Sequence, residues 1–406
     1  MRILQIGPVT PELGGRDTGG IATHLHGLAV HLAERGHDVG VVADNRVHDP
    51  AAWPATESGI SVFGIADFAG AVRARALASP QAVASVIAAR RMFDQSFSLK
   101  WLASKVAAYR SAIRTFRPDI VHVHTLEARC ALTLAVLGDT VPIVATVHSS
   151  HYIEFVVEAS RGPNKRLIAR NLERSGHLIF VSEFLRRRYA TLFPGALDGL
   201  DVQVIPNPID IAAYQRIDCE AARKTVGVGQ DERLLLFVGN LIPRKDAASL
   251  VRAIAVLARR GVAVTALLVG AGPEEEALRE LAATEGVSGA VRFDGRRDQP
   301  ELSAYYSAAD LLVFPSLMES FGLVAVEAML CGTPVVGTPE VFSEVVADFC
   351  GSIARAADPD ALADAIASAL ARQWDHEAIR AHALGFDWCE RVAAFETTYE
   401  RILATR

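Results

Sequence analysis

The sequence predicts an α/β protein built from two open-sheet domains. Three observations carry this reading. Short β-branched runs alternate with amphipathic helical stretches along the chain, and the alternation restarts after the segment Ile205-Pro206-Asn207-Pro208-Ile209-Asp210. The chain also has 406 residues, whereas a single hydrophobic core rarely grows past about 250.

In the first half, strand-like runs fall at residues 3–6, 39–43, 120–124, 143–147, 178–181 and 202–205. Each is largely apolar, continuous enough for a parallel strand buried on both faces. The clearest helix covers residues 21–35, where Leu25, Leu28, Ala29 and Leu32 recur at i, i+3, i+4 and i+7 before Gly36 stops it. Residues 72–116 are basic and apolar without strand signals and read as a helical insertion. The prolines of the 205–210 segment fix the backbone and disfavour helix. The first domain is therefore expected over 1–205 and the linker, a hinge for domain closure, over 206–215. The second domain is expected over 216–385, with strands at 234–238, 264–269, 291–293, 311–314 and 334–336. The tail 386–406, with Val392, Phe395, Tyr399 and Ile402 at helical spacing, is expected to cross back to the first domain.

Half of the residues are hydrophobic and 22% are charged, a composition that can bury a core in each half. Neither a leader segment nor an apolar stretch approaching the roughly 20 residues needed to span a bilayer is read from the sequence. Cys130, Cys219, Cys331, Cys350 and Cys389 are odd in number and scattered, which argues against a disulfide framework or zinc ribbon and fits a cytoplasmic protein. The net charge of −6 is uneven: residues 1–200 carry 22 Lys/Arg against 17 Asp/Glu, and residues 201–406 carry 19 against 30. Basic clusters in the first half suit an anionic acceptor, or an anionic membrane at whose inner face the protein would sit peripherally; solvated helix faces are the plainer reading. The acidic balance and the lack of a recognisable module argue against nucleic acid.

Two open sheets in one chain suggest a ligand near the carboxyl ends of their strands, and three motifs suggest that it is phosphorylated. Gly14-Gly15-Arg16-Asp17-Thr18-Gly19-Gly20 precedes the helix starting at Ile21 and offers backbone N–H groups to an anion. Gly239-Asn240-Leu241-Ile242-Pro243-Arg244-Lys245 places adjacent cations after the first strand of an acidic domain, where a diphosphate gives them a reason. Glu319-Ser320-Phe321-Gly322-Leu323 leads to Glu327, a carboxylate in an apolar run that needs a partner. Ionised carboxylates accept hydrogen bonds from sugar hydroxyls.

These motifs, in order, resemble the retaining glycosyltransferases of GT-B type known as glycosyltransferase family 4. The resemblance includes Gly19-Gly20, Arg35-Gly36-His37-Asp38-Val39, Pro118 to His124, Thr146-Val147-His148, Val181-Ser182, Ile205 to Asp210, Gly239 to Lys245, Val269 to Pro273, and the pair Glu319 and Glu327. It implies two Rossmann-like doubly wound domains facing across a cleft. It also implies a nucleoside-diphosphate sugar as donor, a UDP-sugar favoured and a GDP-sugar as the alternative, with no cofactor and no metal. By the resemblance Gly19 and Gly20 meet the donor phosphate, with Gly239 and Asn240 nearby, and Arg244 and Lys245 clamp the diphosphate. Glu327 binds ribose, Glu319 binds the transferred sugar, and Ser320, Phe321, Gly322 and Leu323 line that site. His148 contacts the donor sugar, and the base lies near Arg292 and Phe293. The implied catalytic set is His148, Lys245, Arg244 and Glu319. Two positions depart from the family: Asn240 stands where many members have Arg, and Gly337-Thr338-Pro339-Glu340 is shorter than the common double-glycine loop. Acceptor binding is expected in the first domain, with His24, His26 and His151 as candidates.

Other readings fare worse. His122 and His124 share one face of a strand, and His148 has His151 nearby, but no acidic residue follows at a spacing that completes a recognisable metal site. Gly270-Ala271-Gly272 is similar to a dinucleotide fingerprint, yet Glu275 occupies the third glycine's place. Ser182 reads as a helix cap rather than a nucleophile. A nucleotide-sugar epimerase or hydrolase, or a non-catalytic sugar-nucleotide-binding subunit, stand as the alternatives, and oligomeric state stays open.

Overall fold

The computed structural model describes residues 1–13, 15, 19–43, 55–64, 80–92, 99–126, 128–137, 140–148, 163–339, 345–355 and 358–405. They pack as two units, Met1–Asn207 with Trp388–Arg406, and Pro208–Asp387.

The sheet of the first unit takes β1 (Arg2–Gly7), β2 (Asp38–Ala43), β3 (Ala55–Glu57), β4 (Ile60–Gly64), β5 (Ile120–Val123), β6 (Ile143–Val147), β7 (His177–Phe180) and β8 (Asp201–Val204). Their order is β3-β4-β2-β1-β5-β6-β7-β8, parallel throughout except for β3 against β4. The helices are α1 (Gly20–Glu34), α2 (Pro80–Met92), α3 (Leu99–Phe116), α4 (Ala128–Leu137), α5 (Pro163–Ser175) and α6 (Glu183–Leu192). Ile3, Leu4 and Ile6 of β1 are all fully buried, because a parallel sheet is covered on both faces. Ser182 caps α6, its side chain accepting from the Leu185 N–H at 3.1 Å.

The helical segment around 72–116 is only partly an insertion. Its second helix, α3, packs on β1 and β2 and forms the crossover from β4 to β5. Phe116 lies on Gly40, where any Cβ would come within 2.9 Å of the ring. Residues 71–79 and 93–98 lie outside the described residues.

The second sheet holds β9 (Leu234–Val238), β10 (Thr265–Val269), β11 (Val291–Gly295), β12 (Leu311–Phe314), β13 (Val335–Gly337) and β14 (Gly351–Ile353). All are parallel in the order β11-β10-β9-β12-β13-β14. The helices are α7 (Cys219–Val226), α8 (Ala247–Arg259), α9 (Glu275–Thr284), α10 (Gln299–Ala308), α11 (Leu323–Leu330), α12 (Pro359–Ala371) and α13 (His376–Leu384). Leu235 and Phe237 of β9 share one core with Leu250 and Ile254 of α8 and Leu362 and Ile366 of α12. Most of the segment expected as a linker belongs to this unit: Asp210 caps the short helical turn Ile211–Ala213.

In both sheets the chain starts in the middle and winds outward twice. Strand order therefore reverses between β1 and β5 and between β9 and β12, and loops leaving neighbouring strands diverge there to open a crevice.

The last helix, α14 (Trp388–Ala404), belongs to the first unit. Val392, Phe395, Tyr399 and Ile402 are buried against the core that α1 and β1 supply. Trp388 stacks on His31 of α1, ring centroids 5.1 Å apart. Gly27 makes room for it, since a Cβ there would lie 2.2 Å from the indole. Gly27→Ala should therefore cost about 1–3 kcal/mol through overpacking, read from urea unfolding followed by tryptophan fluorescence. An unchanged midpoint would show that α14 does not depend on this contact.

Candidate active site

The loops after β9 and β10 touch through their backbones. A Cβ on Gly270 would lie 1.8 Å from the Gly239 carbonyl oxygen, and one on Gly272 would lie 2.1 Å from that of Leu241. The Gly239 N–H donates to the Val269 carbonyl at 3.0 Å, the Leu241 N–H to Ala271 at 3.1 Å and the Glu274 N–H to Leu241 at 3.2 Å. Gly270-Ala271-Gly272 is thereby explained by loop-to-loop contact, with no dinucleotide required.

This contact sets the course of the chain into the turn Pro243–Lys245. Asp246 ends the turn in the left-handed conformation, φ 49°, and caps α8 by accepting from the Ser249 N–H at 3.3 Å and its hydroxyl at 2.7 Å. Lys245 Nζ then stands 2.5 Å from Glu319 Oε1 and 4.8 Å above the Phe314 ring. Arg244 Nη1 donates to the Met318 carbonyl at 3.1 Å and reaches Glu319 Oε1 at 3.4 Å. The Lys245 and Glu319 side chains are 13% and 10% exposed. Two cations thus share one carboxylate at the carboxyl ends of β9 and β12, leaving an excess positive charge at the reversal of strand order.

Glu327 lies in α11, which Gly322 introduces with a left-handed φ of 84°. The partner that its apolar setting demands is a tyrosine: Tyr306 of α10 donates its hydroxyl to Oε2 at 2.5 Å. The Tyr214 hydroxyl also favours the ionised carboxylate. Burial nevertheless raises the Glu327 carboxyl above its ordinary range, against these hydrogen bonds and the charge of Lys245. Neither tyrosine was legible as a site residue, since each comes from a distant element with no motif of its own.

The other expected residues of this unit are placed as follows. Asn240 is exposed and accepts from Arg296 Nη2 at 3.4 Å, so a guanidinium that sequence reasoning missed stands beside it. The Arg292 guanidinium is engaged by Asp294 at 2.6 and 2.9 Å and by the Gly227 and Val226 carbonyls at 3.1 and 2.5 Å. Phe293 lies under Arg279, 4.3 Å from its guanidinium carbon. Ser320 and Leu323 are partly buried, and Phe321 is buried with its ring 5.8 Å from Phe386. Thr338 of the short loop donates its hydroxyl to the Ser316 carbonyl at 2.8 Å, whereas Glu340 lies outside the described residues.

In the first unit, Gly19 and Gly20 open α1 with no side-chain cap, and a Cβ on either would meet nothing within 4 Å. At the same edge His148, His124 and His24 converge. His124 Nδ1 is 3.1 Å from His148 Nε2, and its Nε2 donates to Gln5 Oε1 at 2.9 Å. The His24 ring centroid stands 4.6 Å from that of His148, and neither of its nitrogens has a hydrogen-bond partner. His122 pairs with Tyr399 at 2.7 Å and Thr146 at 2.6 Å. His26 is partly buried, 3.2 Å from the Thr10 hydroxyl. His151 lies outside the described residues.

A family described as Glycosyl transferases group 1 matches residues 218–384, and one described as Glycosyltransferase Family 4 matches residues 18–213. The chain is 33% identical over 325 residues to D-inositol 3-phosphate glycosyltransferase 2 of Catenulispora acidiphila, covering 76% of this chain and 71% of the relative. In fold it is similar to sucrose-phosphate synthase of Thermosynechococcus elongatus, with a TM-score of 0.74, 20% identity and coverage of 100% and 99%. It is also similar to Anabaena HepE in complex with UDP, with a TM-score of 0.70, 22% identity and coverage of 99% and 100%.

Burial lowers the His24 and His122 imidazoles to about 3 and holds His124 and His148 well below their ordinary value. Protonation thus favours the unfolded chain, where a histidine titrates near 6.5. Stability of the first unit is fully present above that pH and lost as pH falls toward the native values, by about 1.4 kcal/mol per histidine per pH unit. His24→Leu removes one such group without breaking a hydrogen bond, so its unfolding free energy should fall less steeply with acid. Parallel pH profiles for the variant and the unaltered chain would overturn this.

Proposed function

Because this chain belongs to glycosyltransferase family 4 and is a GT-B glycosyltransferase, we propose that it moves a sugar from a nucleoside-diphosphate sugar to a hydroxyl acceptor, retaining the anomeric configuration and using no metal in catalysis. The observation that carries the reading is the Arg244 and Lys245 pair resting on Glu319 where the strand order of the second sheet reverses. A diphosphate entering there draws both cations by charge-assisted hydrogen bonds and releases Glu319 to accept from sugar hydroxyls. Glu327, held by Tyr306, receives the ribose diol. Gly19 and Gly20 offer uncapped N–H groups to phosphate, and His148 contacts the donor sugar.

In the transfer the bond from the anomeric carbon to the diphosphate oxygen breaks and a bond to the acceptor oxygen forms on the same face. The acceptor proton passes to the departing phosphate, whose growing charge Arg244 and Lys245 stabilise. A site rich in anion ligands suits this route. A UDP-sugar is favoured over a GDP-sugar, in keeping with the UDP bound by HepE. The positive balance of residues 1–200 favours a phosphorylated acceptor, in line with the inositol 3-phosphate for which the Catenulispora relative is named.

Among the described residues no helix is long and apolar enough to cross a membrane. Val83 and Ile87, one turn apart on α2, are 53% and 49% exposed, and with the basic charge they would rest on an anionic membrane surface. Co-sedimentation with anionic but not neutral vesicles is the expected outcome.

Lys245→Ala and Glu327→Ala should each lower transfer at least about tenfold, the equivalent of roughly 1.4 kcal/mol in the barrier. Near-normal rates in both variants would sink the assignment. A thermal-shift series with UDP-, GDP-, ADP- and TDP-sugars identifies the donor, since the bound nucleotide stabilises the folded state by mass action. Product analysis with and without acceptor separates transfer from the alternatives. Donor hydrolysis or epimerisation alone, or binding without turnover, would overturn it.

A further inference from the structure

We propose that His24, His124 and His148 form a binding site for a zinc-class divalent cation in the first unit, and that this cation inhibits transfer rather than catalysing it. One ring nitrogen from each residue can be chosen so that all three lie within 4.8 Å of one another. Two nitrogens bound to one tetrahedral zinc at about 2.0–2.1 Å stand about 3.3 Å apart, and His124 Nδ1 and His148 Nε2 are already 3.1 Å apart. The His24 ring meets the His148 ring at 69° and the His124 ring at 60°, crosswise to the stack that those two rings form.

The hydrogen bonding points the same way. His124 donates its Nε2 proton to Gln5 Oε1, which leaves the Nδ1 lone pair facing inward; ligating histidines are commonly oriented by such a second hydrogen bond. His24 is 5% exposed and both its nitrogens are buried without a partner. A buried imidazole without a hydrogen bond forfeits its hydration for nothing in return, and a cation would satisfy the nitrogen that carries the lone pair. Burial also keeps all three imidazoles neutral, the form that binds metal. Three neutral imidazole nitrogens suit zinc or cobalt, whereas Mg²⁺ prefers oxygen ligands. On binding, the proton that His148 Nε2 donates to His124 moves to His148 Nδ1, and no net proton is released.

Glycines and aromatic rings shape the surroundings. A Cβ on Gly7 would lie 3.2 Å from His124 Cβ, so glycine at the end of β1 lets this histidine close in. Trp388 and Phe395 of α14 pack on the outer side of His24, with centroids at 5.5 and 5.8 Å. The inhibition, unlike the binding, rests on the proposed role of His148 at the donor sugar: a histidine committed to the cation is withdrawn from the donor.

The test is titration of the metal-free 406-residue protein with Co²⁺, followed by its visible ligand-field bands, and with Zn²⁺ by calorimetry. One equivalent should bind with a tetrahedral cobalt spectrum. His24→Leu, which breaks no hydrogen bond, should abolish that spectrum, and Gln5→Leu should weaken binding by about 10–100-fold. Cys219→Ser/Cys389→Ser, which removes the two exposed thiols, should leave binding intact. Absence of stoichiometric binding, binding unchanged in His24→Leu, or binding lost with the thiols would each overturn the site. Inhibition by Zn²⁺ and its reversal by chelator are read separately. Stoichiometric binding without inhibition upholds the cation site and overturns the donor role of His148.

Discussion

The second unit is organised by a place where no side chain can exist. The Gly239 carbonyl oxygen occupies the space into which Gly270 would project a Cβ, 1.8 Å away, and Leu241 stands in the same relation to Gly272. With the backbones in contact, the chain leaving β9 is pinned by hydrogen bonds to the loop after β10 before it reaches Pro243. The turn that follows has little freedom left, and Asp246 closes it by taking a left-handed conformation to cap α8. Arg244 and Lys245 are aimed by this sequence of constraints rather than by their own flexible stems.

Electrostatics finishes what the backbone begins. Residues 201–406 carry 30 Asp/Glu against 19 Lys/Arg, so the average field of this half repels an anion. Local geometry outweighs the average, because exposed charges farther than about 8–10 Å are screened while partly buried pairs in contact are not. Two cations converge on a single carboxylate, and Glu319 holds them in place. Glu327 illustrates the opposite problem. Burial opposes its charge, and the Tyr306 hydroxyl partly restores the hydrogen bonds that water would have supplied.

Much of this was legible because parallel sheets write themselves plainly in sequence. A strand covered on both faces must be continuously apolar, and the runs at 234–238 and 311–314 appear in the fold as β9 and β12 with the same limits. Cationic and acidic motifs were readable for a related reason: Arg244, Lys245 and Glu319 interrupt apolar surroundings at strand ends. The three-residue strands β3 and β14 carry too few residues for a periodic signal, and α3 reads as an insertion because its basic face conceals the apolar one packed on β1 and β2. Partnerships across the sheet left no trace. Tyr306 meets Glu327 from 21 residues away, and His24 of α1 meets His124 and His148 from distant parts of the chain.

The histidine cluster shows why a local rule, when broken, is informative. Hydrophobic burial alone would place Leu or Phe beside Trp388 and Phe395, yet this position holds His24, desolvated and without a hydrogen bond. A folded state that keeps four neutral imidazoles together is destabilised by acid and gains nothing from His24 that an apolar side chain would not supply. Departures of this kind concentrate where a ligand completes the structure. The carboxyl edge of the first sheet, where β1 and β5 part, is thus organised around lone pairs and buried N–H groups, and the second around exchangeable charge. Neutral donors and acceptors suit sugar hydroxyls or a soft cation, whereas paired cations suit a diphosphate.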